Sequence, residues 1–317
     1  MNKLTLVHCI ETKSDHKFER EAKLYLNSIR TTNPELFATL DIHFLQPTAN
    51  DISQDTIDYM HSYGAKFTRI PDLSNKQLNT RINYTNACLT GEYFSQTLDT
   101  EYMCWTDLDI IFLQKAPANF YKDSDQIILT SYDIINTYSS QCSGFRVDQM
   151  YEQYFMEHLP AELQNLKLKH YVCTWFVYGK TKHPFWAAWR KLTYDLIDIA
   201  QAHHQDKLDN DFESYCEEIA ASMLYAIHPT WFNDIRKFFG QNTLSFMESK
   251  MENEDAMRCR ENTIIYHYND LSGLLKNDMP NYPYSRDALR MLLDTYDIHE
   301  LINGLDLTAK DIITLGR

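Results

Sequence analysis

Glycine and proline are scarce in this chain, 8 and 9 of 317 residues, which leaves no material for a low-complexity linker or a glycine-rich array. The glycine loops that cradle phosphate are missing too. There is no GxGxxG, and the one "GKT", Gly179-Lys180-Thr181, has Thr174 where a P-loop needs its first glycine. Positive charge is in deficit: 30 Lys and Arg stand against 44 Asp and Glu, a formal charge of −14. That excludes unaided binding to nucleic acid or anionic lipid, and it leaves room for a local basic pocket that takes a phosphorylated ligand. No segment reaches the roughly 20 apolar residues of a membrane span, so no transmembrane segment is expected. The opening "MNKLTLVHCIETKSD" has a short apolar core followed at once by charge, and it reads as neither signal peptide nor span. The 7 cysteines are odd in number, widely spaced and without CxxC, which points to reduced thiols in a cytoplasmic protein rather than to disulfides or zinc. Without a secretory signal, the sequon Asn83-Tyr84-Thr85 reads as chance.

What is present is a folding composition, 44% hydrophobic and 13% aromatic. The first third alternates between two periods. "KLTLVHCI" reads as a buried strand, Phe18, Ala22, Tyr25, Leu26 and Ile29 recur at helical spacing, and Asn33-Pro34 stops them. "LDIHFLQP" is a second strand, "SQDTIDYMHSYG" a helix, "AKFTRI" a third strand, and a helix spans Tyr84 to Leu98. Such alternation implies an α/β fold with a mainly parallel sheet flanked by helices, whose ligands bind beyond the carboxyl ends of the strands. Further on, "DQIILTSYD" and "YVCTWFVYGK" read as strands, and "PFWAAWRKLTYDLIDIAQA" and "DFESYCEEIAASMLYAI" as helices. One domain over 1–278, with a small helical appendage over 279–317, is the economical division.

The fourth strand signal ends in "EYMCWTDLDIIFLQ", which sets Asp107 and Asp109 into an apolar run. In an extended chain these side chains share a face, and two carboxylates so close repel unless a cation lies between them. A divalent metal is the simplest such cation. A strand end fraying into a loop would also carry Asp, so the pair needs a second element. "NTIIYHYNDLSGLLK" supplies one, an apolar strand that delivers His267 and is followed by Gly273 and Lys276.

Together these segments resemble the GT-A class of glycosyltransferases, and the second is similar to the His, Gly, Lys element of glycosyltransferase family 8. The resemblance implies a GT-A, Rossmann-like mixed sheet and a metal-dependent transferase that moves a sugar from a nucleotide-diphosphate donor. It implies a UDP-sugar with Mn2+ or Mg2+, a metal held by Asp107, Asp109 and His267, and a diphosphate contacted by Lys276. Three extra residues precede Lys276, and Asn277-Asp278 replace the usual Pro-Trp pair. Where such enzymes place an acceptor-side carboxylate or base, this chain offers Glu217 and Glu218, an acidic pair opening a helix, with Asp209 and Asp211 of "LDNDF" in competition. For the nucleoside, phosphate and sugar the candidates are Glu11, Thr12, Asp72, Arg81, Asn83 and Asn86, joined by Asp107. Arg81 suits phosphate because its planar fork can donate two bonds to adjacent oxygens. The acceptor, whether glycan, lipid-linked or protein, is not readable. Two other classes stay open. One is a phosphohydrolase of the haloacid dehalogenase type, with Asp107 as nucleophile. The other is a nucleotide- or sugar-binding protein without turnover.

Overall fold

The structure, a computed structural model, describes residues 4–10, 16–47, 52–70, 86–117, 120–133, 143–204, 210–239, 244–246 and 264–267. The helical appendage expected over 279–317 lies outside these residues.

Strands β1 (Leu4–Cys9), β2 (Asp41–Gln46), β3 (Lys66–Arg69) and β4 (Tyr102–Thr106) form the parallel half of a sheet. β1 and β4 are apolar along nearly their whole length because both faces are covered, which is why they read as runs rather than as alternation. Helix α1 (Lys17–Thr32) covers one face, where Tyr25 meets His8 edge-on at 4.4 Å beside Phe44. Helix α4 (Asn86–Thr97) covers the other, where Phe94 packs edge-on against His43 at 5.4 Å. Between them, α2 (Pro34–Phe37) restarts the chain after the Asn33 break, and α3 (Gln54–Ser62) begins at a Ser53 cap whose Oγ accepts from the Thr56 N–H. The buried Glu19 carboxylate accepts from Ser53 and Thr56 and so ties α3 to α1.

Beyond β4 come β5 (Ile110–Phe112), β6 (Ile127–Asp133), α5 (Ser143–Met150), β7 (His170–Lys180), α6 (Phe185–His203), α7 (Asn210–Ile227), β8 (Phe232–Asp234), α8 (Ile235–Phe239), β9 (Leu244–Phe246) and β10 (Ile265–His267). The main sheet has the order β3-β2-β1-β4-β7-β6-β8, in which β7 runs antiparallel to both neighbours. A smaller sheet, β5-β10-β9, stands beside it. The mixed, mainly parallel sheet flanked by helices is the one expected from the sequence. Helix α6 lies so close on α4 that a Cβ added at Gly91 would sit 2.7 Å from Cε3 of the buried Trp186, which accounts for glycine inside that helix.

Two features of this architecture place a site. Strand order reverses direction between β1 and β4, which makes their carboxyl ends the switch point where α/β sheets bind ligands. The second is a bulge in β7. Leu129 pairs with Val177 and the next residue, Thr130, pairs with Cys173, so Thr174, Trp175 and Phe176 have no partner on β6. Bulges of this kind re-aim side chains next to functional sites.

Candidate metal centre

β4 stops at Thr106, and the Asp107–Asp109 segment is the link from the large sheet to β5 of the small one. Its entry is fixed from both sides. His8, buried in β1, sits 3.1 Å from the Thr106 carbonyl oxygen through Nδ1, and the Asp107 N–H donates to the Trp175 carbonyl oxygen at 2.9 Å. Burial drives the His8 pKa down to about 3, so this imidazole is neutral and its N–H can serve as a fixed donor.

β10 pairs antiparallel with β5, with His267 opposite Ile110, and so delivers the imidazole to the Asp pair. Nε2 of His267 lies 2.9 Å from Oδ1 of Asp109 and 3.7 Å from Oδ2 of Asp107. One donor atom from each of the three side chains fits within 4.8 Å of the others, the only such group of three or more among the described residues. The side chains grade in exposure, from 5% for His267 through 17% for Asp109 to 40% for Asp107, so the opening to solvent is on the Asp107 side. The Trp175 ring, aimed by the bulge, stacks on the imidazole at 5.0 Å and 10°.

The electrostatics of the three groups would suit a cation. Burial, and after it the Asp109 charge, push Asp107 above the usual carboxylate range. Burial would raise Asp109 as well, but the His267 charge and hydrogen bond overcome it and hold Asp109 low. Burial by itself would lower His267, and the two carboxylates reverse that and raise it. Like charges are therefore packed together at a cost, which a cation among them removes. Two carboxylate oxygens with one imidazole nitrogen suit Mn2+, and Mg2+ less well. The residues fit a resident divalent metal.

Behind the metal candidates lies α7. Glu217 and Glu218 do not open this helix: it begins at Asn210, and the pair sits about two turns in. Neighbours in a helix point about 100° apart, so the two part company. Glu217 is 7% exposed and accepts a 2.7 Å hydrogen bond from Thr174 of the bulge, while Glu218 is partly exposed and accepts one of 2.8 Å from the Tyr171 hydroxyl. Burial raises both, Glu217 well above the carboxylate range and Glu218 to about 7, with Asp107 adding to each. Asn86 is buried at the first residue of α4. Asp211 falls in the first turn of α7, where the side chains lie outside the description, and Glu11, Thr12, Asp72, Arg81, Asn83, Asp209, Gly273 and Lys276 lie outside the described residues altogether.

One charge went unnoticed in the sequence. Lys17, the first residue of α1, lowers the pKa of Asp107, Asp109 and His267, behind burial and the mutual fields of those three. It stands 90 residues before Asp107 and looks there like an ordinary solvated helix start, so nothing local marks it.

The fold is GT-A: a mixed, mainly parallel sheet with an Asp-x-Asp link at its switch point. Two solved structures similar to this chain are the galactosyltransferase LgtC in complex with donor and acceptor sugar analogues, and an active-site mutant of LgtC. The first is 12% identical with a TM-score of 0.56 and covers 95% of this chain and 100% of that one. For the second the figures are 13%, 0.55, 95% and 99%. No family model matches the sequence, and no curated protein does. The two aspartates follow the fourth strand of this sheet.

Proposed function

We propose that this chain is a metal-dependent glycosyltransferase that takes its sugar from a nucleotide diphosphate, with UDP as the nucleotide and Mn2+ or Mg2+ as the metal. The observation that carries the reading is the meeting of His267 with Asp109, 158 residues away in sequence, at the switch point of a GT-A sheet. Asp107, Asp109 and His267 would hold the ion, which supplies neutralisation of the charge that develops on the diphosphate leaving group. Trp175 backs His267 and keeps water from that side of the imidazole, and His8 steadies the strand end from which Asp107 departs. Lys276 and Arg81 are the further diphosphate contacts in this reading, and Glu11, Thr12, Asp72, Asn83 and Asn86 serve the nucleoside and sugar. The acceptor is a glycan, a lipid-linked sugar or a protein. A cytoplasmic location is part of the same reading, carried by widely spaced cysteines without CxxC.

Thermal-shift measurement across UDP-, GDP- and CMP-sugars, with and without Mn2+, tests class, metal and donor together, since a bound ligand raises stability by mass action. The expected result is a shift that needs both UDP and Mn2+, followed by release of UDP when acceptors are added. A Mn2+-dependent UDP shift with neither transfer nor donor hydrolysis would instead identify a binding protein. No shift with any nucleotide would end the reading.

On the acceptor side the assignment divides the acidic pair. Glu218, partly exposed and raised to about 7, can exchange a proton near neutral pH and takes the part of base or acceptor-holding carboxylate, with Asp211 as its competitor. Glu217, buried on Thr174, backs the bulge. Glu218→Gln is expected to lower turnover by about 100-fold, the lower end for a general acid or base, while the UDP dissociation constant stays within twofold. If turnover and UDP affinity fall together, or neither changes, the role passes to Asp211.

A further inference from the structure

Two sets of hydrogen bonds fix how α1 lies along the chain that carries the aspartates. Asn33, just past the end of the helix, donates to the Gln114 carbonyl oxygen at 3.0 Å and accepts from the Ala116 N–H. Further back, Ser28 Oγ accepts from the Phe112 N–H at 3.1 Å. Helix and segment therefore run in the same direction. From Ser28 back to Lys17 the helix covers roughly 16 Å at its rise of about 1.5 Å per residue. From Phe112 back to Ile110 the chain is strand, and through the bend at Leu108 and Asp109 it reaches Asp107 within at most about 16 Å at roughly 3.3 Å per residue. Lys17 thus stands at the Asp107–Asp109 end. Its ammonium is 3.4 Å from the carboxylate of the buried Glu21, one turn on, and after burial and the mutual fields of the three metal candidates it is the charge that all three feel.

A lysine in this position opposes a bare divalent ion. It favours the same ion arriving with a polyanion, because the two positive centres then share several phosphate oxygens. We propose that Lys17 is a donor-binding residue whose ammonium contacts the diphosphate of the metal–nucleotide complex and so makes the site prefer that complex to the free ion. This rests on the glycosyltransferase reading and adds to it a cation from the opposite end of the chain to Lys276.

Calorimetry on wild type, Lys17→Met and Lys17→Arg tests this with three probes: Mn2+ alone, UDP with Mn2+, and uridine with Mn2+. In Lys17→Met the affinity for UDP with Mn2+ is expected to fall about tenfold or more, as for a lost hydrogen bond to a charged group. The affinity for Mn2+ alone should rise by roughly threefold through loss of a like charge, uridine should be unaffected, and Lys17→Arg should restore most of the UDP binding. A role confined to holding Glu21 would weaken Mn2+ and UDP binding together, and that outcome, like unchanged UDP affinity, overturns the proposal. Wild-type protein that bound Mn2+ but no nucleotide would bring down the glycosyltransferase reading itself and this inference with it.

Discussion

Asp109→Asn is expected to abolish the stabilisation that Mn2+ and UDP confer together, while the protein stays folded without ligand. The substitution keeps the volume and leaves an oxygen that can still accept from the His267 N–H, so packing at the β5–β10 junction is preserved. What goes is the anionic ligand atom. Changing a group one shell outside a metal's ligands already costs 10- to 100-fold in affinity, so removing a ligand is expected to cost ~100-fold or more. At a ligand concentration near 100 times the wild-type dissociation constant, the wild type gains ~2.7 kcal/mol and the variant about 0.4 kcal/mol or less, read directly as the near disappearance of the shift in melting temperature. With the Asp109 charge gone, Asp107 should also titrate nearer the ordinary carboxylate range, since that charge is second only to burial in raising it. A full Mn2+-dependent shift in the variant would remove Asp109 from the centre.

His267→Gln carries the second large effect and has a direction in pH. Only the neutral imidazole binds a metal, and in the metal-free protein this imidazole is raised above 6.5, Asp109 and Asp107 having outweighed its burial. Mn2+ affinity in the wild type should therefore start to fall above pH 6.5 and drop by about tenfold per pH unit below the raised value, one proton displacing one ion. Metal-free stability runs the other way. A raised histidine stabilises the fold below its unfolded pKa, and that contribution fades as pH climbs through the folded value. Across the same window the metal-free protein loses its internal ion pair as the site gains affinity for its ion. In the variant the histidine part of the pH profile vanishes, Mn2+ binds at least ~10-fold more weakly, and its advantage over Mg2+ shrinks. Gln rather than Ala keeps most of the volume beneath the Trp175 ring, so a collapsed site is not the cause of the change. Superimposable pH profiles in the two proteins would take His267 out of the site.

The parts of this arrangement that could be read from the sequence are those in which local pattern and tertiary environment agree. β1, β2 and β4 announced themselves because strands buried on both faces are continuous apolar runs, and α1 because Ala22, Tyr25, Leu26 and Ile29 fall on one buried stripe. The Asp pair and His267 were legible for the same reason, as polar groups at the ends of apolar strands. Other features have no local signature. That β7 inserts antiparallel between β4 and β6 is decided by pairing partners, not by its own residues, and its bulge is visible only as a slip in register. Glu217 and Glu218 are identical letters side by side, and only the rotation of α7 separates a buried carboxyl from one that meets Tyr171. Lys17 needed the parallel run of α1 along 107–116 before its position meant anything.

The small sheet has β10 as its middle strand, and this has a consequence in time. Until that strand leaves the ribosome, β5 has no partner in the small sheet and the aspartates no imidazole. Asp109 precedes His267 by 158 residues. At about 5–20 residues per second, that separates their synthesis by roughly ten to thirty seconds. Through that interval the nascent chain can assemble β1 to β4 and their helices while holding only two mutually repelling carboxylates. Translation thus delays the site's completion until most of its scaffold has been made.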